Sequence, residues 1–225
     1  AQDVALVHGP PGTGKTRTLT AFVLHAASRG ERVLVTAHSN QAVDNLLVGD
    51  STRDAPEPGT LHAFATGDQG DLDVDVARVG RQSTNDVVNH EYANASVANA
   101  DVVAATTNGA ARFDTDAFDV GIVDEATQAS RPATAIVLDA TQRVVLAGDH
   151  RQLPPYASSG ADATSDADAT SDASTHSESG GSTTEVRRSW FEDVLDAYGD
   201  DVAVLLGRQY RMHDAIAAFP NDAFY

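Results

Sequence analysis

The chain has 225 residues, 41% of them hydrophobic, enough for one sizeable core with an elaboration. Thirty-three acidic residues face 15 basic ones, for a net charge of −18, and Lys15 is the only lysine. Cysteine is absent, which excludes disulfides, thiolate metal sites and cysteine nucleophiles, and no apolar run approaches a membrane span. In chain order, Val4–Val7 predicts a strand, Gly9–Thr16 a glycine-rich loop and Arg17–Ser28 a helix. Arg32–Thr36 predicts a buried strand, and Ser39 or Asn40 caps a helix through Ala42, Val43, Leu46 and Leu47. Gly49–Gly59 is loop; Leu61–Thr66 and Val74–Val79 are read as strands, and Asp86–Val97 as helical. Strands follow at Asp101–Thr106, Phe118–Val123 and Arg143–Ala147, with a helix over Pro132–Leu138. Residues 157–184 hold no Phe, Trp or Tyr, no aliphatic larger than alanine and no Lys or Arg, and are expected to be a disordered acidic insertion. A helix carrying Trp190, Phe191, Val194, Leu195 and Tyr198, a strand at Val202–Leu206 and a final helical stretch complete the chain.

Short apolar strands alternating with helices imply an α/β fold: a mostly parallel sheet with helices on both faces, in three layers. Ligands of such sheets sit beyond the carboxyl ends of the strands. Gly9-Pro10-Pro11-Gly12-Thr13-Gly14-Lys15-Thr16 lies at such an end, between strand and helix. That context is the one a phosphate-binding P-loop requires. Glycines let backbone N–H groups close around phosphate oxygens, and the helix start adds its positive dipole end. Lys15 is expected to reach the β- and γ-phosphates and the Thr16 hydroxyl to ligate Mg²⁺, with Arg17 also counted among the nucleotide-binding residues. Val120-Gly121-Ile122-Val123-Asp124-Glu125 reads as a Walker B strand, with Asp124 for Mg²⁺ and Glu125 for the attacking water. The cofactors expected are therefore ATP and Mg²⁺.

Beyond these, Asp124-Glu125-Ala126-Thr127-Gln128-Ala129, Gly148-Asp149-His150-Arg151-Gln152-Leu153-Pro154-Pro155 and Gln209-Tyr210-Arg211-Met212-His213 resemble motifs II, III and IV of superfamily 1 helicases. The group they resemble is the Upf-like one. Ala37–Asp44 is similar to its motif Ia, and Ala105-Thr106-Thr107 to a later motif that contacts nucleic acid. The resemblance implies a RecA-like P-loop ATPase fold. It makes Gln152 a γ-phosphate sensor, Arg211 a γ-phosphate contact and Tyr210 a ring stacked on adenine, whose plain alternative is a core aromatic. Ser39, Asn40 and Thr107 would touch the sugar-phosphate backbone of single-stranded DNA or RNA; helix capping and turn formation are their structural alternatives. On this reading residues 1–156 are the ATP-binding core, 157–184 the insertion, and 185–225 the end of the domain with the start of the crossing to a second RecA-like domain outside this chain. Motifs V and VI and the family's arginine finger belong to that second domain. The fragment is thus expected to bind ATP, hydrolyse it poorly and not unwind alone.

A net charge of −18 ordinarily argues against a polyanionic partner. Many short acids and almost no lysine are read instead as a salt-adapted surface, so a nucleic-acid ligand stays open. An intracellular, cytoplasmic protein is expected, with no membrane partner. The eight histidines show no metal-ligand spacing and are read as structural or surface groups. Two other readings are a P-loop ATPase of signalling or remodelling type, and a degenerate motor kept as a docking surface. The intact set of Lys15, Thr16, Asp124, Glu125 and Gln152 argues against the second.

Overall fold

The chain is described by a computed structural model over residues 3–66, 74–152 and 188–213, with residues 216 and 218. The expected insertion at 157–184 and the final helical stretch lie largely outside these residues. Seven strands form one sheet: β1 Asp3–His8, β2 Val33–Ala37, β3 Val76–Arg78, β4 Val102–Thr106, β5 Phe118–Asp124, β6 Thr141–Gly148 and β7 Ala203–Leu205. Their order is β3-β4-β2-β5-β6-β1-β7. Every pairing is parallel. Parallel pairs cannot be joined by tight hairpins, so the chain crosses over between strands, mostly through helices. These are α1 Lys15–Ser28, α2 Asn40–Leu47, α3 Leu61–Thr66, α4 Arg131–Ala140 and α5 Trp190–Tyr198.

The period of two along each strand splits the core into two faces. Val33, Val35 and Ala37 of β2 pack with Leu19 and Val23 of α1 and Val43, Leu46 and Leu47 of α2. Leu34 points the other way, with Leu146 of β6, Val137 of α4 and Phe191 and Val194 of α5. A sheet covered on both sides has continuous apolar strands, and all five residues of β2 are buried. The result is the three-layer α/β arrangement that the alternating pattern implies. Among the described residues no helix is long and apolar enough to cross a membrane.

One expectation is corrected and one is shortened. Leu61–Thr66 is a helix, not a strand. The Thr60 hydroxyl accepts from the Ala63 N–H at 3.2 Å, an N-cap that starts a turn. Burial is contiguous through Leu61, His62 and Ala63 rather than alternating. The helical reading of Asp86–Val97 holds only for residues 86–92, which end in a π-helical turn, Val88–Tyr92, where the Ala93 N–H donates to the Val88 carbonyl at 3.0 Å. Elsewhere the elements lie within a few residues of their expected places. Ser39 caps α2 and Ser130 caps α4, with Pro132 in the first turn of α4.

Candidate nucleotide site at the carboxyl edge of the sheet

Strand order decides which side chains meet. β6 lies between β1 and β5, so the glycine loop after β1, Asp149 after β6 and Asp124-Glu125 at the end of β5 occupy three adjacent places on one edge. The Gly9 N–H donates to the Gly148 carbonyl at 3.3 Å, tying the start of the loop to β6.

The glycine loop needs its glycines for two different reasons. A Cβ on Gly9 would lie 2.6 Å from the Thr13 hydroxyl and 2.8 Å from the Leu206 carbonyl, so that position is sterically closed. Gly14 meets nothing but has φ 89°, the left-handed conformation from which α1 begins without a side-chain cap. The first N–H groups of α1 are left without such a partner, as an anion site requires. Lys15 is buried, and its ammonium donates to the Gly9 carbonyl at 2.7 Å and the Pro10 carbonyl at 3.3 Å. The Thr16 hydroxyl donates to Asp124 Oδ2 at 3.5 Å.

Asp124 is 5% exposed and accepts the Glu125 N–H at 2.9 Å. Burial, and then the charge of Glu125, push its carboxyl up to about 6, against the opposing pull of Lys15 and Thr16. A carboxylate kept this costly to ionise is one that a divalent cation would stabilise. Glu125 sits at φ 52°, ψ 41°, a left-handed conformation uncommon for a branched or long side chain. Its Oε2 is buried without a hydrogen-bond partner among the described residues. Backbone strain and an orphan oxygen on one acid are hallmarks of a group held for chemistry.

Gln152 is half-buried, and its amide donates to Asp149 Oδ2 at 3.1 Å while its N–H donates to the Asp149 carbonyl at 3.1 Å. Asp149, fully buried, is therefore the residue that orients Gln152. Motif IV arrives from the other side. The Leu206 N–H donates to the His8 carbonyl at 2.7 Å and the Tyr210 N–H to the Gly12 carbonyl at 2.9 Å. The Gln209 amide donates to the Pro11 carbonyl at 2.6 Å, and its oxygen accepts from the N–H groups of Arg211 and Met212. A Cβ on Gly12 would lie 2.8 Å from that of Arg211, so Arg211 stands directly against the loop. Tyr210 is 68% exposed, which removes the core-aromatic alternative; the Arg208 guanidinium lies 5.2 Å from its ring.

Not every expected residue converges. Arg17 sends its guanidinium away from the loop, to the Pro58 carbonyl at 3.1 Å. Ser39, Asn40 and Thr107 lie beyond the ends of β2 and β4, further along the same edge. There Ser39 accepts the Ala42 N–H at 3.2 Å and Asn40 Oδ1 accepts from Arg78 Nη2 at 2.8 Å. Thr107 is buried, with its N–H donating to the Ala37 carbonyl at 3.0 Å. Arg78 in turn is paired with Asp44 at 2.9 Å, with both side chains buried. Asp149 orients Gln152 from three residues away and Gln209 holds Arg211 from two, both within motifs visible in the sequence, whereas Arg78 meets Asp44 and Asn40 only across distant segments, for which linear spacing carries no signal.

A family model described as an AAA domain matches residues 1–98 and 86–160. The whole chain aligns at 32% identity with the DNA polymerase alpha-associated DNA helicase A of Schizosaccharomyces pombe, covering 37% of that protein. It aligns at 31% with the DNA-binding protein SMUBP-2 of Rattus norvegicus, covering 25% of it. The ATP-dependent helicase NAM7 of Saccharomyces cerevisiae is 31% identical over 99% of this chain and 24% of its own length. This chain thus spans between about a quarter and two fifths of the length of these relatives. The chain belongs to this AAA-domain family and, within it, to the Upf-like superfamily 1 helicases.

Proposed function

We propose that this chain is the ATP-binding and hydrolysing part of a helicase motor, coupling turnover of Mg-ATP to movement along single-stranded DNA or RNA. The observation that carries the reading is the convergence at one sheet edge of a phosphate loop, a desolvated aspartate beside the loop's threonine, and a strained glutamate with an orphan oxygen. Lys15 exchanges its loop carbonyls for phosphate oxygens. Thr16 and Asp124 would hold Mg²⁺, which when bound would neutralise charge on the phosphates. Glu125 orients the attacking water and takes its proton. Gln152, steadied by Asp149, and Arg211, steadied through Gln209, face the terminal phosphate, and the exposed Tyr210 ring packs on the base.

Ser39 and Asn40, half-buried on the same edge, are the proposed contacts to the nucleic-acid backbone. Because backbone contacts carry no base information, DNA and RNA are both admitted. Residues 1–156 would form the ATP-binding core, 157–184 the insertion, and 185–225 the passage to a second RecA-like domain, whose closing and opening would drive translocation. The activity test uses this chain and its parent protein in high salt, with single-stranded DNA, RNA or neither. Glu125→Gln should keep Mg-ATP binding while turnover by the parent falls roughly a hundredfold to ten-thousandfold. Unchanged turnover would refute the role of Glu125. Arg211→Ala should weaken ATP but not ADP; equal effects on both would favour a P-loop ATPase that does not read the terminal phosphate through motif IV.

A further inference from the structure

Behind the phosphate loop, the same strand order that builds the nucleotide site brings two histidines that it does not use, His8 and His150, up to the Asp149 that steadies Gln152. His8 is the last residue of β1, and Asp149 and His150 follow β6; His8 and Gly148 are register partners. One ligand-capable atom from each of His8, Asp149 and His150 lies within 4.8 Å of the other two. The two imidazole rings are 4.5 Å apart between centroids, tilted by 41°. Both have a buried ring nitrogen, Nε2 of His8 and Nδ1 of His150, with no hydrogen-bond partner among the described residues. Buried polar atoms are nearly always paired, so two orphan nitrogens beside a fully buried carboxylate require an explanation.

We propose that His8, Asp149 and His150 form a binding site for a divalent transition-metal ion of the zinc class. Two imidazoles and one carboxylate are a donor set for such ions, whereas magnesium and calcium favour all-oxygen shells. The carboxylate is divided between two tasks. Asp149 Oδ2 holds the Gln152 amide at 3.1 Å, while Oδ1 faces His8 Nε2 at 3.8 Å and also accepts the Arg151 N–H at 3.1 Å. Ligand atoms around a tetrahedral ion with bonds of about 2.0–2.1 Å lie roughly 3.3 Å apart. The three groups therefore need to draw in by about 0.5 to 1.5 Å, within the reach of side-chain rotation. His150 is half-buried, which leaves a side open for a water or an exchanging ligand. The charges facing His150 are mixed, with Arg151 opposing a cation and Asp149 and Glu192 favouring one. An ion here would clamp the strand entering the glycine loop to the segment carrying Gln152.

The site is tested with the metal alone, without nucleotide or Mg²⁺. The chain is titrated with Zn²⁺ by calorimetry and with Co²⁺ by visible absorption. Expected are one equivalent bound, a Co²⁺ spectrum of a four- or five-coordinate ion, and a rise in melting temperature with Zn²⁺. His8→Gln and His150→Gln should each weaken Zn²⁺ at least tenfold, while His25→Gln, at an exposed position on α1, changes nothing. Asp124→Asn should also leave Zn²⁺ affinity unchanged. The proposal is overturned by no binding, by binding that survives both histidine substitutions, or by binding lost in Asp124→Asn alone. Should a histidine variant fail to fold, the Co²⁺ spectrum of the unsubstituted chain decides: a six-coordinate, all-oxygen signature refutes the site. None of these readouts depends on ATP turnover, so the outcome is independent of the proposed motor function.

Discussion

The two ends of this sheet edge treat their polar groups in opposite ways. Around β1, β6 and β5 the groups are left expensive: Asp124 is buried with its carboxyl raised to about 6, Glu125 is strained and part-unpaired, and two histidine nitrogens have no hydrogen-bond partner among the described residues. Around β2 and β4 they are satisfied internally. Arg78 donates to Asp44, Asn40 and the Val79 carbonyl; Ser83 donates to the other oxygen of Asp44 at 2.7 Å; Ser39 caps α2. Unsatisfied groups cost stability and persist where a ligand completes them, whereas a closed network specifies shape. The first region is built to receive something; the second is built to stay still while holding Ser39 and Asn40 at its surface.

The comparison can be broken most severely at Arg78. Arg78→Ala leaves Asp44 buried and unpaired, and should cost about 3–5 kcal/mol of stability, read by chemical denaturation. Should the loss be under about 1 kcal/mol, the network would not be the stiffening element. The matching change in the other region is Lys15→Ala. It removes charge-assisted bonds to phosphate worth about 1.5–3 kcal/mol, so affinity for Mg-ATP should fall roughly ten- to a hundredfold in a fluorescent-nucleotide titration. Its effect on stability should be smaller than that of Arg78→Ala. The reverse ranking in the two assays would erase the distinction between the regions.

The same contrast explains what could be read from the sequence. Strands such as Val33–Ala37 and Phe118–Asp124 are covered on both faces, so they read as unbroken apolar runs and were placed to within a few residues. The glycine loop was legible because its backbone geometry fixes residue type at Gly9 and Gly14. Leu61–Thr66 misled because six residues are too few to separate a period of 2.0 from one of 3.6, and the deciding Thr60 cap lies just outside the run. His8 and His150 lie 142 positions apart and meet only because β1 and β6 are neighbours, which no linear spacing encodes. Asn40 is legible as a cap or nucleic-acid contact at the start of α2, but its bond to Arg78 depends on β3 crossing nearby.

A smaller effect sharpens the contrast through pH. The Asp124 carboxyl lies at about 6 in the folded chain, above its ordinary 3.8. The native state therefore holds this proton more tightly than the unfolded one, so stability from this group is greatest below about 4 and declines as pH rises towards 6. Mg²⁺ needs the ionised carboxylate, so its nucleotide-dependent affinity should run the other way, dropping about fivefold between pH 6 and pH 5. Asp124→Asn should flatten the stability slope and abolish the affinity slope. Parallel trends in stability and Mg²⁺ affinity would show that Asp124 is not the group that titrates.

The smallest expected effect bears on the satisfied region. Ser39 is the cap of α2, and its hydroxyl accepts the Ala42 N–H. Ser39→Ala should cost about 1 kcal/mol of stability, while Ser39→Gly, which keeps a tolerated cap conformation, should cost only a few tenths. If the hydroxyl also meets a nucleic-acid phosphate, both variants lose that bond equally. Affinity for single-stranded nucleic acid, read by fluorescence anisotropy, should then fall about three- to tenfold in both, whatever their stabilities. Affinity that tracks stability, weakened in the alanine variant and near normal in the glycine one, would reduce Ser39 to scaffold. Contact with the strand would then pass from side chains to the backbone N–H groups that open α2.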